Sequence, residues 1–174
     1  MREAEDLRPG CVLLDVQLPD MSGIEVQSTL GGLGSSLPVI LMSANGDPAG
    51  IMRAMHNGSV EFLEKPFDDD DLVAALGTGF AIIDGDLDAD ERGIRAQQSV
   101  ARLTPVQIQV LRGVVAGMDN AEITTALDVT SIEVRRIRAQ LVEQLDLKRP
   151  IDALILACAA KLSPLVSNAV GSGS

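Results

Sequence analysis

Three short predicted strands alternate with helical patterns in the first half of the chain, and this alternation is the strongest constraint on its fold. The predicted strands occupy residues 11–15, 37–44 and 60–67. The first of them is a continuous apolar run that ends in an acid, as is typical of a parallel strand that is covered on both faces. Helical patterns follow the strands at 23–33, 47–58 and 68–83. This order predicts an α/β unit with a parallel sheet and right-handed connections.

Local signals mark where two of these helices begin and end. Asp47 is the predicted N-cap of the helix at 47–58, with Pro48 at the first helical position and Gly58 as the stop. The four acids Asp68–Asp71 open the next helix, where the helix dipole favours negative charge. His56 is the only histidine, and we predict that it lies on the surface and binds no metal.

The composition limits the core and the cellular setting. The chain has no Trp, no Tyr and only three Phe, so its cores must be built from aliphatic residues and Met. No apolar run approaches the roughly 18–20 residues of a membrane span, and we expect no signal peptide, because the given sequence does not open with a basic-then-apolar pattern. Cys11 and Cys158 both lie in apolar surroundings, which favours free thiols over a disulfide. These features predict a cytoplasmic protein.

Charge divides the chain into two parts. Residues 1–101 carry 6 Lys/Arg against 18 Asp/Glu, whereas residues 102–174 carry 8 against 7. This asymmetry indicates two modules with different partners. The predicted organisation is an α/β unit at 1–83, a partly helical linker at 84–102, an all-helical domain at 103–162 and a disordered tail at 163–174.

Polar residues end all three predicted strands. They are Asp15, Ser43, and Lys65 followed by Pro66. The carboxyl ends of parallel strands meet at one edge of a sheet, where functional groups lie in a crevice. A carboxylate nucleophile with a hydroxyl and an amine that bind phosphate oxygens would suit phosphoryl transfer. A strand-end Asp is also commonly a helix cap or turn residue, and the residue pattern alone leaves both interpretations open.

The segments "LLDVQLPDMSG", "LPVILMSA" and "VEFLEKPF" closely resemble the receiver domain of bacterial two-component response regulators, which has a flavodoxin-like parallel sheet. The resemblance implies that Asp15 is the phosphoacceptor and that a sensor histidine kinase is its partner. Ser43 would be the switch hydroxyl, Phe62 the switch aromatic and Lys65 the phosphate-sensing lysine. Asp15 and the backbone carbonyl of Gln17 would help to hold magnesium.

The sequence departs from the receiver pattern at its beginning. A receiver starts with strand-helix-strand, and an acidic pair after its first strand binds the magnesium, whereas this chain starts just before the third strand. The resemblance therefore implies a partial, N-terminally truncated receiver with an incomplete sheet and a poor acceptor, because phosphoryl transfer needs a cation. Asp68–Asp71 is an alternative metal site, but a solvated helix N-terminus is the favoured interpretation.

The second module has the pattern of a helix-turn-helix. Its predicted helices occupy about 104–117, 120–127, 131–145 and 149–162. Thr130 and Glu133 form a capping box for the third helix. The inner face of that helix is predicted to carry Val134, Ile137, Leu141 and Leu145. Its outer face presents Arg135, Arg136 and Arg138, where a recognition helix meets the major groove.

This region resembles the DNA-binding domain of LuxR/NarL-type regulators, in their FixJ-like branch, over about residues 103–160. The resemblance implies double-stranded promoter DNA as a partner, with dimerisation through the fourth helix. Its candidate DNA-binding residues are Thr130, Ser131, Glu133, Arg135, Arg136 and Arg138. Arg135 and Arg138 are favoured for base-edge and phosphate contacts. Glu133 has two interpretations, the favoured capping box and acceptance from a cytosine amino group.

Together these features predict a DNA-binding response regulator of a two-component system, controlled by phosphorylation of Asp15 and by homodimerisation. The alternative is a phosphorylation-independent regulator that acts as a dimerisation or protein-interaction module. An enzyme is disfavoured, since no base, nucleophile or cofactor motif occurs beyond the receiver set.

Overall fold

The computed structural model describes residues 10–33, 35–44, 48–85 and 88–165. The chain divides into two compact units, and the boundary between Ile94 and Arg95 falls within the predicted linker 84–102. Asp47, the predicted N-cap, and residues 166–174 of the predicted tail lie outside the described residues. In the described part of the chain, no helix has both the length and the apolar character needed to cross a membrane.

The first unit is a three-stranded parallel sheet, which confirms the predicted α/β class. The strands are β1 (Val12–Asp15), β2 (Val39–Ser43) and β3 (Ser59–Glu64), in the order β1-β2-β3. The helices are α1 (Gly23–Gly32), α2 (Pro48–His56) and α3 (Asp69–Ile83). Strand β2 is central, and Ile40 and Leu41 are completely buried. This burial explains why its sequence is a continuous apolar run.

The strands are shorter than predicted at their ends. Strand β3 ends at Glu64, not at residue 67, although the backbone N–H of Lys65 still donates to the carbonyl of Ser43 at 2.8 Å. Pro66 follows and has no N–H to donate, so the ladder stops there. Phe67 instead packs against the cluster of Ile40, Leu63 and Ala75.

A helix occupies most of the predicted linker. Helix α4 (Ala89–Ala101) begins in the first unit, where the guanidinium of Arg92 donates to the carbonyl of Val60 in β3 at 2.9 Å. Burial lowers the pKa of Arg92, and the nearby carboxylate of Glu61 opposes that shift. The first turns of α4 are therefore attached to β3 by a specific contact.

The second unit contains the four predicted helices of the helix-turn-helix module. They are α5 (Pro105–Val115), α6 (Asn120–Leu127), α7 (Ser131–Gln144) and α8 (Asp152–Ala159). Helix α5 packs against the other three helices. The centre of this core is built from Val110, Leu111, Val115, Ile123, Val134, Ile137 and Leu141. Gly113 lets α5 approach α6, because a Cβ there would lie 2.8 Å from the side chain of Ile123.

The C-terminal part differs from the prediction in the length of its last helix. Helix α8 is shorter than the predicted span of about 149–162, and the left-handed backbone of Lys161 follows its end. Beyond the helix, the side chain of Arg112 donates to the carbonyl of Ser163 at 2.9 Å. The N–H of Leu165 in turn donates to the Arg112 carbonyl at 2.9 Å. These bonds hold residues 163–165 against α5.

Both cysteines are free thiols, as predicted. Cys11 packs against the core of the first unit, and Cys158 lies in α8 of the second. Burial raises the pKa of both thiols, which keeps them protonated and weakly reactive.

Candidate functional sites

An acid and a lysine meet at the carboxyl edge of the sheet. Asp15 is the last residue of β1, and Lys65 directly follows β3. Lys65 Nζ forms an ion pair with Asp15 Oδ2, and the backbone N–H of Gln17 donates to Asp15 Oδ1 at 2.9 Å. The hydrogen bond from Lys65, and then that from Gln17, lowers the pKa of Asp15. Asp15 is therefore an anion at neutral pH, and 30% of its side chain is exposed, so a reactant can reach it.

Ser43 lies at the same edge, between the acid and the lysine in the order of the strands. It ends β2, pairs in register with Glu64, and is 2% exposed. Phe62 is different, because it is fully buried within β3 beside Leu41 and does not reach the edge. The structure thus places Asp15, Ser43 and Lys65 at one edge of the sheet, and Phe62 two residues before the end of β3. Their individual roles stay predictions.

Gly23 is a site residue that the sequence analysis missed. A Cβ at this position would lie 2.1 Å from the backbone oxygen of Asp15, so only glycine fits beneath the acid. The N–H of Gly23 also donates to the carbonyl of Val16 at 2.9 Å. Ser22 and Glu25 form a capping box at the start of α1. In the sequence, the Ser22-Gly23 pair at the start of a helix was the available signal for this glycine. Its close approach to Asp15 is a tertiary contact, which that local signal does not reveal.

The oxygen ligands that the described residues place at this edge are of the type that magnesium prefers, but these residues supply too few of them. Asp15 offers one carboxylate and Gln17 one carbonyl, and both Asp15 oxygens already accept hydrogen bonds. Among the residues that the structure describes, no group of three or more potential metal ligands occurs. Magnesium demands nearly octahedral oxygen coordination. The described residues alone do not make a magnesium site.

The acids 68–71 have a local structural role. Asp68 is the N-cap of α3, and its carboxylate accepts from the N–H of Asp71 at 2.9 Å. Asp69, Asp70 and Asp71 occupy the first turn of that helix. This geometry agrees with the favoured interpretation of a solvated helix N-terminus.

Capping boxes begin both helices of the helix-turn-helix. Asp119 and Glu122 form one at the start of α6, and Thr130 and Glu133 form the other at the start of α7. The Glu133 carboxylate accepts from the N–H of Thr130 at 2.9 Å and from its hydroxyl at 2.7 Å. These bonds lower the pKa of Glu133. Both bonds go to one carboxylate oxygen and fix the side chain on its own helix terminus, which favours the capping interpretation.

The three arginines of α7 do not share one environment. Arg135 and Arg136 are exposed on the side opposite the buried Val134, Ile137 and Leu141. Arg138 is half-buried, and its Nη1 donates to Oδ1 of Asn120, the first residue of α6, at 2.7 Å. Arg138 therefore holds α6 and α7 together, while Arg135 and Arg136 form an exposed basic surface on α7, and the charge of Arg136 also acts on the Glu133 carboxylate.

The α/β unit with a strand-end Asp–Lys pair and the helix-turn-helix unit define a class of protein, the response regulator that carries a DNA-binding module. Comparison with known proteins supports this class. The receiver domain of response regulators matches residues 1–77. The transcriptional regulatory protein FixJ of Rhizobium meliloti (strain 1021) is 33% identical over 164 residues, which cover 92% of this chain and 79% of FixJ.

The chain is also similar to two further proteins. The transcriptional regulatory protein TdiR of Thauera aromatica is 31% identical over 145 residues, which cover 83% of this chain and 64% of TdiR. The crystal structure of full-length FixJ from B. japonicum shares 29% identity, covers 92% of this chain and 79% of that one, and gives a TM-score of 0.46. The chain belongs to the FixJ-like family of two-component transcriptional response regulators.

Proposed function

We propose that this protein regulates transcription by binding promoter DNA through α7, and that phosphorylation of Asp15 by a sensor histidine kinase controls that binding in the cytoplasm. The observation that carries the proposal is the convergence of Asp15, Ser43 and Lys65 at one edge of the sheet. A helix that presents two exposed arginines supplies the output surface.

The side chains of Asp15, Ser43 and Lys65 at the carboxyl edge of the sheet account for the proposed phosphoryl transfer. An Asp15 carboxylate oxygen attacks the phosphorus of a phosphohistidine, the P–N bond breaks, and the imidazole leaves with the electron pair. Lys65, which neutralises Asp15 in the unphosphorylated protein, then pairs with a phosphoryl oxygen. Ser43 donates its hydroxyl to another oxygen, and this shift changes the packing around Phe62.

In this proposal, phosphorylation of Asp15 changes the oligomeric state of the protein. Repacking near Phe62 alters the surface of the first unit and promotes homodimerisation. Two copies of α7 then bind two half-sites, and the second contact benefits from a high effective concentration. Phosphate contacts from Ser131 and from the backbone at the start of α7, near Thr130, orient the helix.

A second candidate function is a phosphorylation-independent regulator that acts through dimerisation or protein contacts. The observation that favours it is the small donor set at Asp15, where the described residues supply a single carboxylate. Without a cation, charge that develops during phosphoryl transfer is poorly neutralised.

Intact-mass spectrometry after incubation with acetyl phosphate, with and without magnesium, separates the two functions. We expect the wild type to gain one phosphoryl group and Asp15→Asn to gain none. Asp20→Asn is the matched control, because Asp20 is an exposed acid in the same loop. An unmodified wild-type protein under all conditions would overturn the acceptor role of Asp15 and favour the second candidate.

A further inference from the structure

Ile132 is an exposed apolar residue that does not pack in the core of its own unit. It lies in the first turn of α7, and 71% of its surface is exposed, the largest value among the exposed large hydrophobic residues of the described chain. The core face of α7 consists of Val134, Ile137 and Leu141. An isoleucine in this position gains little from folding, because its apolar surface stays in water.

Helical spacing places Ile132 within the basic surface of α7. Arg135 and Arg136 follow it by three and four positions, so the three side chains are neighbours on one face of the helix. Both arginines are exposed. Glu133, the acid beside Ile132 in sequence, is held by Thr130 in the capping box. The surface around Ile132 therefore combines a methyl-rich side chain with two guanidinium groups and the Glu133 carboxylate near Arg136, and these three charged groups leave a net positive charge.

This combination matches the major groove of DNA at a thymine. In that groove, among the four bases, only thymine presents a methyl group, and apolar side chains contact it. The neighbouring phosphates complement the charge of Arg135 and Arg136. A protein surface would complement the apolar side chain as well, but the pair of cations favours the polyanion.

We propose that Ile132 contacts the C5-methyl group of a thymine in the major groove and makes this regulator prefer T at that position of each half-site. The proposal rests on the proposed function, because it requires that α7 binds duplex DNA. Arg135 and Arg136 supply affinity and orientation, and Ile132 supplies base discrimination.

The test uses the whole 174-residue chain and has two stages. Selection from a library of random-sequence duplexes first gives an enriched site. In the enriched duplex, each thymine is then replaced singly by deoxyuridine, which removes only the methyl group. We expect one replacement per half-site to weaken wild-type binding by about four-fold, the effect of exposing one buried methyl group.

The Ile132→Ala variant decides whether that methyl is the partner of Ile132. We expect the variant to bind the thymine duplex more weakly than the wild type does, and to show no further loss with deoxyuridine at the sensitive position. Val142→Ala is the matched control, because Val142 is also exposed on α7, at 51%, but lies nearly three turns away. It should retain the wild-type sensitivity to deoxyuridine.

Each outcome has a distinct meaning. A library from which the wild type enriches no sequence would overturn the proposed DNA binding and this inference with it. If Ile132→Ala binds the enriched site with the same sensitivity to deoxyuridine as the wild type, the role of Ile132 is overturned, but the proposed DNA binding is not. Circular dichroism of the variants confirms that both remain folded, since neither substitution touches the core.

Discussion

Glu133 connects the stability of α7 to pH. Its carboxylate accepts two hydrogen bonds from Thr130, and these bonds lower its pKa from the ordinary value of 4.5. A group whose pKa is lower in the folded state stabilises the protein above its unfolded pKa, and this stabilisation is lost as the pH falls through the folded pKa. The capping box therefore weakens in acid.

Glu133→Gln isolates this effect. Glutamine preserves a capping box but does not titrate, so we expect similar stability at pH 7 and a smaller loss than in the wild type as the pH falls below 4.5. Urea unfolding followed by circular dichroism measures both proteins at each pH. Identical pH dependence in the two proteins would show that the Glu133 carboxylate does not stabilise α7.

Arg135 is the best single test of the DNA-binding surface. Because it is exposed and makes no contact needed by the core, Arg135→Ala should leave the fold intact. We expect the variant to bind the enriched duplex about 1–3 kcal/mol more weakly at fixed salt. Arg53→Ala, which removes an exposed arginine from α2, is the charge-matched control and should bind like the wild type. If Arg135→Ala and the wild type bind the duplex with equal affinity, Arg135 is not part of the DNA interface.

Gly23 and Gly31 lie in the same helix and predict opposite effects of alanine. At Gly23 the added Cβ would overlap the backbone of Asp15, so we expect Gly23→Ala to destabilise the first unit by about 1–3 kcal/mol. At Gly31 nothing lies within 4 Å, and alanine should stabilise α1 by roughly 0.5–1 kcal/mol. Urea unfolding compares the two, and a neutral Gly23→Ala would contradict the close packing beneath Asp15.

Single residues also show where sequence patterns are sufficient and where they are not. The Thr130 capping box was predicted because its partners are three residues apart, and the structure confirms it. The contact of Arg138 with Asn120 joins residues 18 positions apart. The approach of Gly23 to Asp15 likewise depends on how a loop folds back. Such contacts arise from tertiary packing, which a local pattern does not specify.

Helices and strands were predicted well in order and type, and less well at their ends. Apolar runs and capping residues identified three strands and four C-terminal helices, because these signals are local and repeated. The linker was predicted only as partly helical, since its polar composition hides a helix whose attachment depends on Arg92. The hydrogen bond from Arg92 to Val60 joins residues 32 positions apart, and no local pattern in either segment predicts it.

The attachment of α4 to β3 is testable through Arg92. Arg92→Met keeps the apolar stem but removes the donor to the Val60 carbonyl, so we expect a loss of about 1–3 kcal/mol in the stability of the first unit. Arg53→Met removes the same charge from an exposed position of α2 in the same unit and should change stability by less than about 0.5 kcal/mol. Equal effects of the two substitutions in urea unfolding would show that the bond to β3 contributes nothing.

At the level of the whole chain, the two units carry different charge and different chemistry. The acidic residues concentrate in the first part, where the Asp15–Lys65 pair lies, and the exposed arginines of α7 lie in the second. This separation suits a protein in which one unit receives a signal and the other binds a polyanion. Composition alone predicted the division, because net charge depends on neither register nor packing.

The control of DNA binding by Asp15 is tested most directly by the affinity of the whole 174-residue chain for its enriched duplex, measured with and without beryllofluoride and magnesium. We predict that the phosphoryl mimic tightens wild-type binding by about ten-fold or more, through dimerisation on two half-sites. Asp15→Asn should show no change. Wild-type affinity that is unchanged by beryllofluoride, or an equal response from Asp15→Asn, would contradict the account.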